Sequence, residues 1–284
     1  MDVLVISDFT LEQAVGGAQI SNSIIIEEGK KRGHTIKEHH HSSPITDLFV
    51  SYDLVINSNL ECISKTSPER FNLIKKLPNS VRLEHDSCHY LSSEDREQLF
   101  SNCKKTFFLT DFHYNFFKEL YGDYFKNVEI LPDPLDTSIF KKADLKKEYD
   151  VIYCGYVHPQ KGTHNLINFS KNNPNRKIDI FGGSNVVPPS HFDKHENITY
   201  HKKWCNPSEV AEIFQKCNSV FHSPNVNEPF CRMVGEAILC GVEDILGNPS
   251  IIGSYLDFKE VGYDKFKNKC ESASVNFWKS VENI

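Results

Sequence analysis

Two carboxylates, Glu228 and Glu236, stand eight positions apart in the stretch Asn227 to Gly241, NEPFCRMVGEAILCG. Pro229 beside the first suits a turn or a first helical position, because its fixed φ fits and its missing N–H is not needed there. From Met233 the residues Val234, Ala237 and Ile238 recur at helical spacing, and Gly241 closes the run as a helix C-cap would. The pattern predicts a strand over Ser219 to Ser223, a loop holding Glu228, and a helix from near Cys231 carrying Glu236. Free backbone N–H groups at such a helix start face the loop and favour phosphate there. The plain alternative is an amphipathic helix with a surface glutamate.

Other residues fit the same anionic ligand. Gly16-Gly17-Ala18 follows the apolar strand Val3 to Ile6 and opens a helix ending in Lys30, Lys31, Arg32 and Gly33. Glycine is needed where a backbone approaches an anion closely, although such a pair is also an ordinary turn. The pattern is not GxGxxG, which disfavours a nicotinamide site. Lys161 follows a second apolar strand, Val151 to Cys154, within Gly155-Tyr156-Val157-His158-Pro159-Gln160-Lys161-Gly162. A role for it as a cation towards a leaving group that gathers negative charge is what the family resemblance given below implies. A surface lysine beside a turn is the alternative. His85 and Asp86 end the strand Val81 to Glu84, with a loop histidine making a backbone contact as the bland reading. His39-His40-His41 is read as an exposed loop, since consecutive side chains diverge and do not easily converge on one ion.

These residues need a frame. Strand readings at Thr35 to Glu38, Leu54 to Asn57, Thr106 to Leu109 and Val128 to Leu131 alternate with helical readings at Pro68 to Lys76, Ser93 to Phe100 and Phe112 to Leu120. Such alternation predicts a doubly wound α/β domain, with ligands outside the carboxyl ends of the strands. Pro132-Asp133-Pro134 ends the last of these strands and starts a charged linker, with a boundary near Lys147. The second half offers strands at Lys177 to Phe181, Ile198 to His201 and around Asp244 to Leu246. Asn206-Pro207-Ser208-Glu209 is a helix start with cap, proline and acid in order. Val210, Ile213, Phe214 and Cys217 follow as a core-facing stripe. A last helix runs from about Tyr263, with Phe266, Cys270, Ala273, Phe277 and Val281 on one face.

A chain of 284 residues has room for two ordinary domains. Hydrophobic content of 39% and charged content of 25% fit a globular protein, and the apolar runs are too short to cross a bilayer. The start leads straight into a strand rather than a signal peptide. A net charge of −6 gives no general grip on nucleic acid. Nine cysteines without a CxxC pair argue for reduced thiols in a cytoplasmic setting rather than disulfides or zinc.

The Asn227 to Gly241 stretch resembles the signature of family-4 retaining glycosyltransferases of the GT-B fold, in which an EPFG-type loop precedes a second glutamate. EPF, the eight-residue offset and EAILCGV match; Cys231 stands where the family usually has glycine. Gly16-Gly17-Ala18 resembles the family's GGA loop, Pro134 to Phe140 its interdomain P-x-D-x-x-x-F segment, and Gly155 to Gly162 its G-R-L-x-x-x-K-G loop. There Lys161 is kept and Tyr156 replaces the arginine. The resemblance implies two Rossmann-like doubly wound domains facing a cleft: 1–147 on the acceptor side, 148–262 on the donor side, and 263–284 as a C-terminal helix crossing back to the first domain. Trp278 is expected to pack in that crossing.

The same resemblance implies transfer of a sugar from a nucleotide-sugar donor to a hydroxyl of a glycan, lipid-linked or protein-linked acceptor, with retention and without a metal or other cofactor. Glu228 and His85 would serve the reacting sugar. Gly16, Gly17, Ala18, Lys161, Phe230, Cys231, Arg232, Met233 and Glu236 would hold the donor, Glu236 at the ribose and the amides with Lys161 at the diphosphate. Trp204 and Cys205 would lie towards the nucleobase, with Trp204 at least as readable as a core or interface aromatic. Tyr156 donates only one neutral hydrogen bond where the arginine would give a cation. Either another cation such as Arg232 replaces it, or turnover is slow, or the chain is a GT-B nucleotide- or glycan-binding module. A nucleotide-sugar epimerase is a third reading. Lys30, Lys31 and Arg32 allow a weak peripheral membrane contact, with solvated surface charge as the alternative. Donor base, acceptor, linkage and oligomeric state are not legible.

Overall fold

The computed structural model describes residues 1–86, 89–122 and 125–284. They form two compact units, Met1–Pro134 with Lys269–Ile284, and Leu135–Asn268. In the first unit the elements are β1 (Asp2–Ile6), α1 (Gly17–Lys31), β2 (Thr35–His39), β3 (Leu54–Asn57), α2 (Glu61–Thr66), α3 (Pro68–Ile74), β4 (Ser80–Leu83), α4 (Ser93–Ser101), β5 (Lys105–Phe108), α5 (Asp111–Tyr121) and β6 (Val128–Ile130). The strands pair in parallel in the order β2-β1-β3-β4-β5-β6. Alternate residues of β1 enter opposite cores. Val3 and Val5 pack with Ile25 and Ile26 of α1, while Leu4 and Ile6 pack with Ile63, Phe71 and Phe117. A strand covered on both faces reads as an unbroken apolar run, as VLVI does.

The second unit contains β7 (Tyr149–Cys154), α6 (Thr163–Asn172), β8 (Ile178–Phe181), β9 (Ile198–Tyr200), α7 (Pro207–Gln215), β10 (Cys217–His222), α8 (Arg232–Leu239), β11 (Ile245–Gly247), α9 (Gly253–Val261) and the start of α10 (Tyr263–Val281). Its parallel order is β11-β10-β7-β8-β9. From β7 the chain steps outward through β8 and β9, then returns to β10 on the other side of β7. Neighbouring loops therefore leave β7 and β10 in opposite directions, which opens a crevice at the carboxyl ends of those two strands. Helix α7 begins with the expected capping box, Asn206 and Glu209 each bonding the other's backbone. Its stripe stops earlier than the spacing predicts: Ile213 and Phe214 are buried on the helix, whereas Cys217 already opens β10.

From Lys269 onward, α10 belongs to the first unit. There Ala273, Phe277, Trp278 and Val281 fill the core against α1 and the sheet. The fully buried Trp278 indole donates to the Ile25 carbonyl at 2.7 Å. Gly29 makes room for it, since a Cβ there would come within 2.2 Å of the indole ring.

His39 departs from the exposed-loop reading. It ends β2 and is fully buried, its Nδ1 3.6 Å from Asp47. Burial pushes its pKa down, the Arg70 charge adding to the effect, despite Asp47. His41 turns instead to the Asp8 carbonyl at 2.8 Å. Two of the three cations read as a possible membrane contact are engaged: Lys30 with Glu27, and Arg32 with Glu28 and Glu282. Among the described residues no helix is long and apolar enough to cross a membrane.

Candidate active site

The crevice of the second unit is built by two loops. The one after β7 runs from Gly155 through a 3-10 turn, Pro159–Lys161, to Gly162 at φ +85°. The left-handed turn directs the chain into α6 and brings it against the end of β10. A Cβ on Gly162 would lie 1.9 Å from the Ser223 carbonyl oxygen, so only glycine fits. The loop after β10 is held by its backbone. Glu228 donates its N–H to the Ile251 carbonyl at 2.9 Å and accepts from the Gly253 N–H at 2.9 Å, so it is stitched to the start of α9.

These loops bring Lys161 and Glu228 together. The Lys161 ammonium donates to Glu228 Oε1 at 2.6 Å. The Glu228 side chain is 11% exposed and that of Lys161 45%, so the acid is the buried member. His222, the last residue of β10, approaches the same oxygen through Nε2 at 3.6 Å. Burial alone would raise the Glu228 pKa, but the His222 contact and the Lys161 charge outweigh it and hold the carboxyl at about 2. Burial also opposes charge on His222, and there the neighbouring Cys231 and Glu228 win and raise the imidazole to about 9. Lys161 is likewise raised, burial being outweighed by Glu228. The result is a carboxylate that stays ionised between two cationic groups.

Cys231 follows at the N-cap of α8 with φ +69°, a left-handed conformation that L side chains adopt only with strain. This explains why glycine suits the position. The Cys231 carbonyl accepts from the Gly235 N–H and from Ser254 Oγ, both at 3.1 Å. Phe230 is buried and stacks on Phe266 at 6.2 Å, so its ring belongs to the core and is withdrawn from the crevice. Arg232 lies 3.5 Å from Glu236 one turn along α8. The arginine read as a substitute cation is therefore engaged with the second glutamate.

Glu236 also lines a cavity of about 170 Å³ with Cys154, Gly182, Trp204, Cys205 and Met233. This joins the candidates named for ribose and nucleobase in one place. Trp204 is not a core residue: it is 65% exposed, lies over Gly183, and its ring runs nearly parallel to that of Tyr156 at 6.4 Å. Tyr156 stacks on His158 at 5.5 Å and hydrogen-bonds Asn185 through its hydroxyl. The arginine position thus holds an aromatic platform.

In the first unit, α1 starts at Gly17 after an extended Gly16, without a side-chain cap and without an acid in its first turn. Its leading amides are therefore open to an anion. His85 is held by side chains rather than by a backbone contact alone. Its Nε2 lies 3.3 Å from Asn22 Oδ1 on α1, and its Nδ1 3.6 Å from Asp133, which accepts from Ser21 at 2.6 Å. Beneath it the Glu84 carboxylate accepts the N–H groups of His85 and Asp86, both at 3.0 Å, and pairs with the buried Arg82 at 2.7 Å. Sequence reasoning passed over this support and over His222. The available signal was a charge, Arg82, within a short strand; His222 closes a strand that also carries Asn218 and Ser219 and so does not stand out.

His222, Glu228 and Cys231 also form the one group of three metal-type ligands found among the described residues.

No protein-family model and no curated protein sequence matches the chain. Solved structures do match in shape. HepE from Anabaena, crystallised with UDP-glucose, shares 12% identity at a TM-score of 0.62, over 100% of this chain and 95% of that one. The lipopolysaccharide outer core galactosyltransferase WaaB shares 13% at 0.61, over 100% and 99%. AviGT4, a glycosyltransferase involved in avilamycin A biosynthesis, shares 12% at 0.60, over 99% and 97%. The two parallel sheets of six and five strands with flanking helices are of the GT-B fold class.

Proposed function

We propose that the chain transfers a sugar from a nucleotide-activated donor to a hydroxyl, with retention at the anomeric carbon, as the resemblance to family-4 enzymes implies. The observation that carries this reading is the ion cluster at the carboxyl ends of β7 and β10, where Lys161 holds Glu228 ionised beside the start of α8. The cavity under Trp204 takes the base and ribose, and Glu236 accepts from the ribose hydroxyls. Lys161 and the amides from Phe230 to Met233 meet the diphosphate. Glu228, released in part by Lys161, turns to the sugar hydroxyls. The first unit, taken by itself, offers the leading amides of α1 and the His85 ring, to which the resemblance gives phosphate and hydroxyl contacts. Catalysis is then mainly stabilisation of charge on the leaving diphosphate.

The UDP-glucose held by HepE makes UDP-sugars the first donors to try. Thermal unfolding against UDP-, GDP-, ADP- and dTDP-sugars tests the reading, because binding to the native state raises the midpoint. Glu236→Ala should abolish the shift, while Glu228→Ala should reduce transfer more than binding. Unimpaired binding and transfer in both would remove the assignment. A second reading, a module that binds without transferring, is favoured by two observations: Tyr156 offers no charge, and Arg232 is paired with Glu236. Release of nucleoside diphosphate from the bound donor decides between them.

A further inference from the structure

We propose that His222, Glu228 and Cys231 form a binding site for a single thiophilic divalent cation of the zinc type. The imidazole nitrogen, the carboxylate oxygen and the thiol sulfur all lie within 4.8 Å of one another. A tetrahedral zinc ion, with bonds of about 2.0 Å to N and O and 2.3 Å to S, spaces its ligand atoms roughly 3.3–3.7 Å apart. The His222 to Glu228 edge already has that length at 3.6 Å. The sulfur has to close by little more than 1 Å, which a side-chain torsion supplies.

Two independent features point at this spot. His222 is 4% exposed, and neither ring nitrogen has a hydrogen-bond partner among the described residues. Its Nε2 stands 3.6 Å from Glu228, beyond hydrogen-bond reach, and a metal bond is one way to satisfy a buried imidazole held at that distance from its neighbours. Cys231 keeps a side chain at φ +69°, where glycine would be free of strain. The strained residue is the one whose sulfur completes the triangle. Imidazole, thiolate and carboxylate together suit a borderline-soft ion and not magnesium or calcium. Three protein ligands leave a fourth position open to water.

Binding replaces the thiol proton of Cys231 and any proton on the His222 nitrogen, both released to solvent. It also draws Glu228 away from Lys161, so an ion and that ammonium compete for one carboxylate. Competition with the donor sugar for Glu228 follows as well, and this consequence alone rests on the proposed function.

Cobalt(II) is the probe. The untagged, reduced, chelator-stripped chain is titrated with Co²⁺ at mildly alkaline pH, without nucleotide, and followed by absorption. The expected result is a near-ultraviolet sulfur-to-cobalt charge-transfer band saturating at one equivalent and displaced by Zn²⁺. Cys231→Gly should lose the band while keeping its fold, since the backbone there suits glycine. His222→Leu should weaken the titration at least tenfold, and Cys205→Ser, at the other half-exposed thiol of this unit, should leave it unchanged. Circular dichroism of each metal-free variant checks folding. Absence of the band, its persistence in Cys231→Gly, or an unaltered midpoint in His222→Leu overturns the site. None of these results depends on whether a sugar donor binds.

Discussion

Gly162 and Gly33 share one backbone conformation and differ in everything around it. Both have φ +85°; a Cβ on Gly33 would meet nothing within 4 Å, whereas one on Gly162 would lie 1.9 Å from the Ser223 carbonyl oxygen. Alanine at Gly33 therefore carries only the left-handed cost, about 1–2 kcal/mol. At Gly162 the same cost is joined by a clash. Even a tight contact needs about 3.0 Å, so the two loops must part by at least 3.0 − 1.9 = 1.1 Å. That movement strains the hydrogen bond from Asn165 Nδ2 to the Ser223 carbonyl, now 2.8 Å, which is worth about 1 kcal/mol. Forced displacement of packed backbone adds about 1–3 kcal/mol. We expect Gly162→Ala to lose about 3–6 kcal/mol and Gly33→Ala about 1–2 kcal/mol. Urea denaturation followed by circular dichroism measures both. Gly162→Ala should also weaken nucleotide binding, because Lys161 and the Glu228 loop lie on the two sides of the contact. Equal losses in the two variants would refute the idea that loop approach fixes Gly162.

Other outcomes follow from the same contacts. The folded-state pKa of His222 is raised from 6.5 to about 9, so its protonation stabilises the fold below about pH 6.5, and this is lost as pH rises through 9. The contribution is at most about 3 kcal/mol, and His222→Leu should remove that alkaline decline in the denaturation midpoint; an unchanged slope would exclude His222 as its source. Trp278→Ala should cost the first unit about 3–5 kcal/mol, seen as a lowered unfolding midpoint, and a loss under 1 kcal/mol would show that the helix end is not part of its core. Tyr156→Arg supplies a cation beside the Lys161 loop and should raise diphosphate release about tenfold, or about 1.4 kcal/mol; no change would mean that charge is not what limits turnover.

The strands were legible because a parallel sheet buried on both faces leaves short continuous apolar runs, such as VLVI at Val3 to Ile6 and VIYC at Val151 to Cys154. The capping box at Asn206 and the glycine ends of helices were legible because their signals are local. Helices α2, α6 and α9 were not read. In α6 the buried side chains are Thr163, Leu166, Ile167 and Ser170, so half of its inner face is polar and the apolar period disappears. Helix α9 likewise buries Gly253, Ser254 and Asp257 beside Phe258. In the site, Glu228, Glu236, Lys161 and Cys231 stood out through spacing around glycine and proline. His222 did not, since it ends a strand that already carries the polar Asn218 and Ser219, and it meets its partners only through the fold. The Arg232–Glu236 contact, by contrast, is favoured by spacing alone: the pair stands at i, i+4 on α8 with glycine at i+3.

The first unit is discontinuous in the chain: its core waits for Phe277, Trp278 and Val281, while the second unit is one uninterrupted stretch. On a ribosome, the opening 134 residues emerge with their α1 flank uncovered and stay so until the second unit has been synthesised. The nascent chain must therefore keep that apolar flank from foreign contacts while the second unit is being made. A ribosome that stalls before Trp278 leaves the first unit unfinished even though every strand of its sheet has already been made.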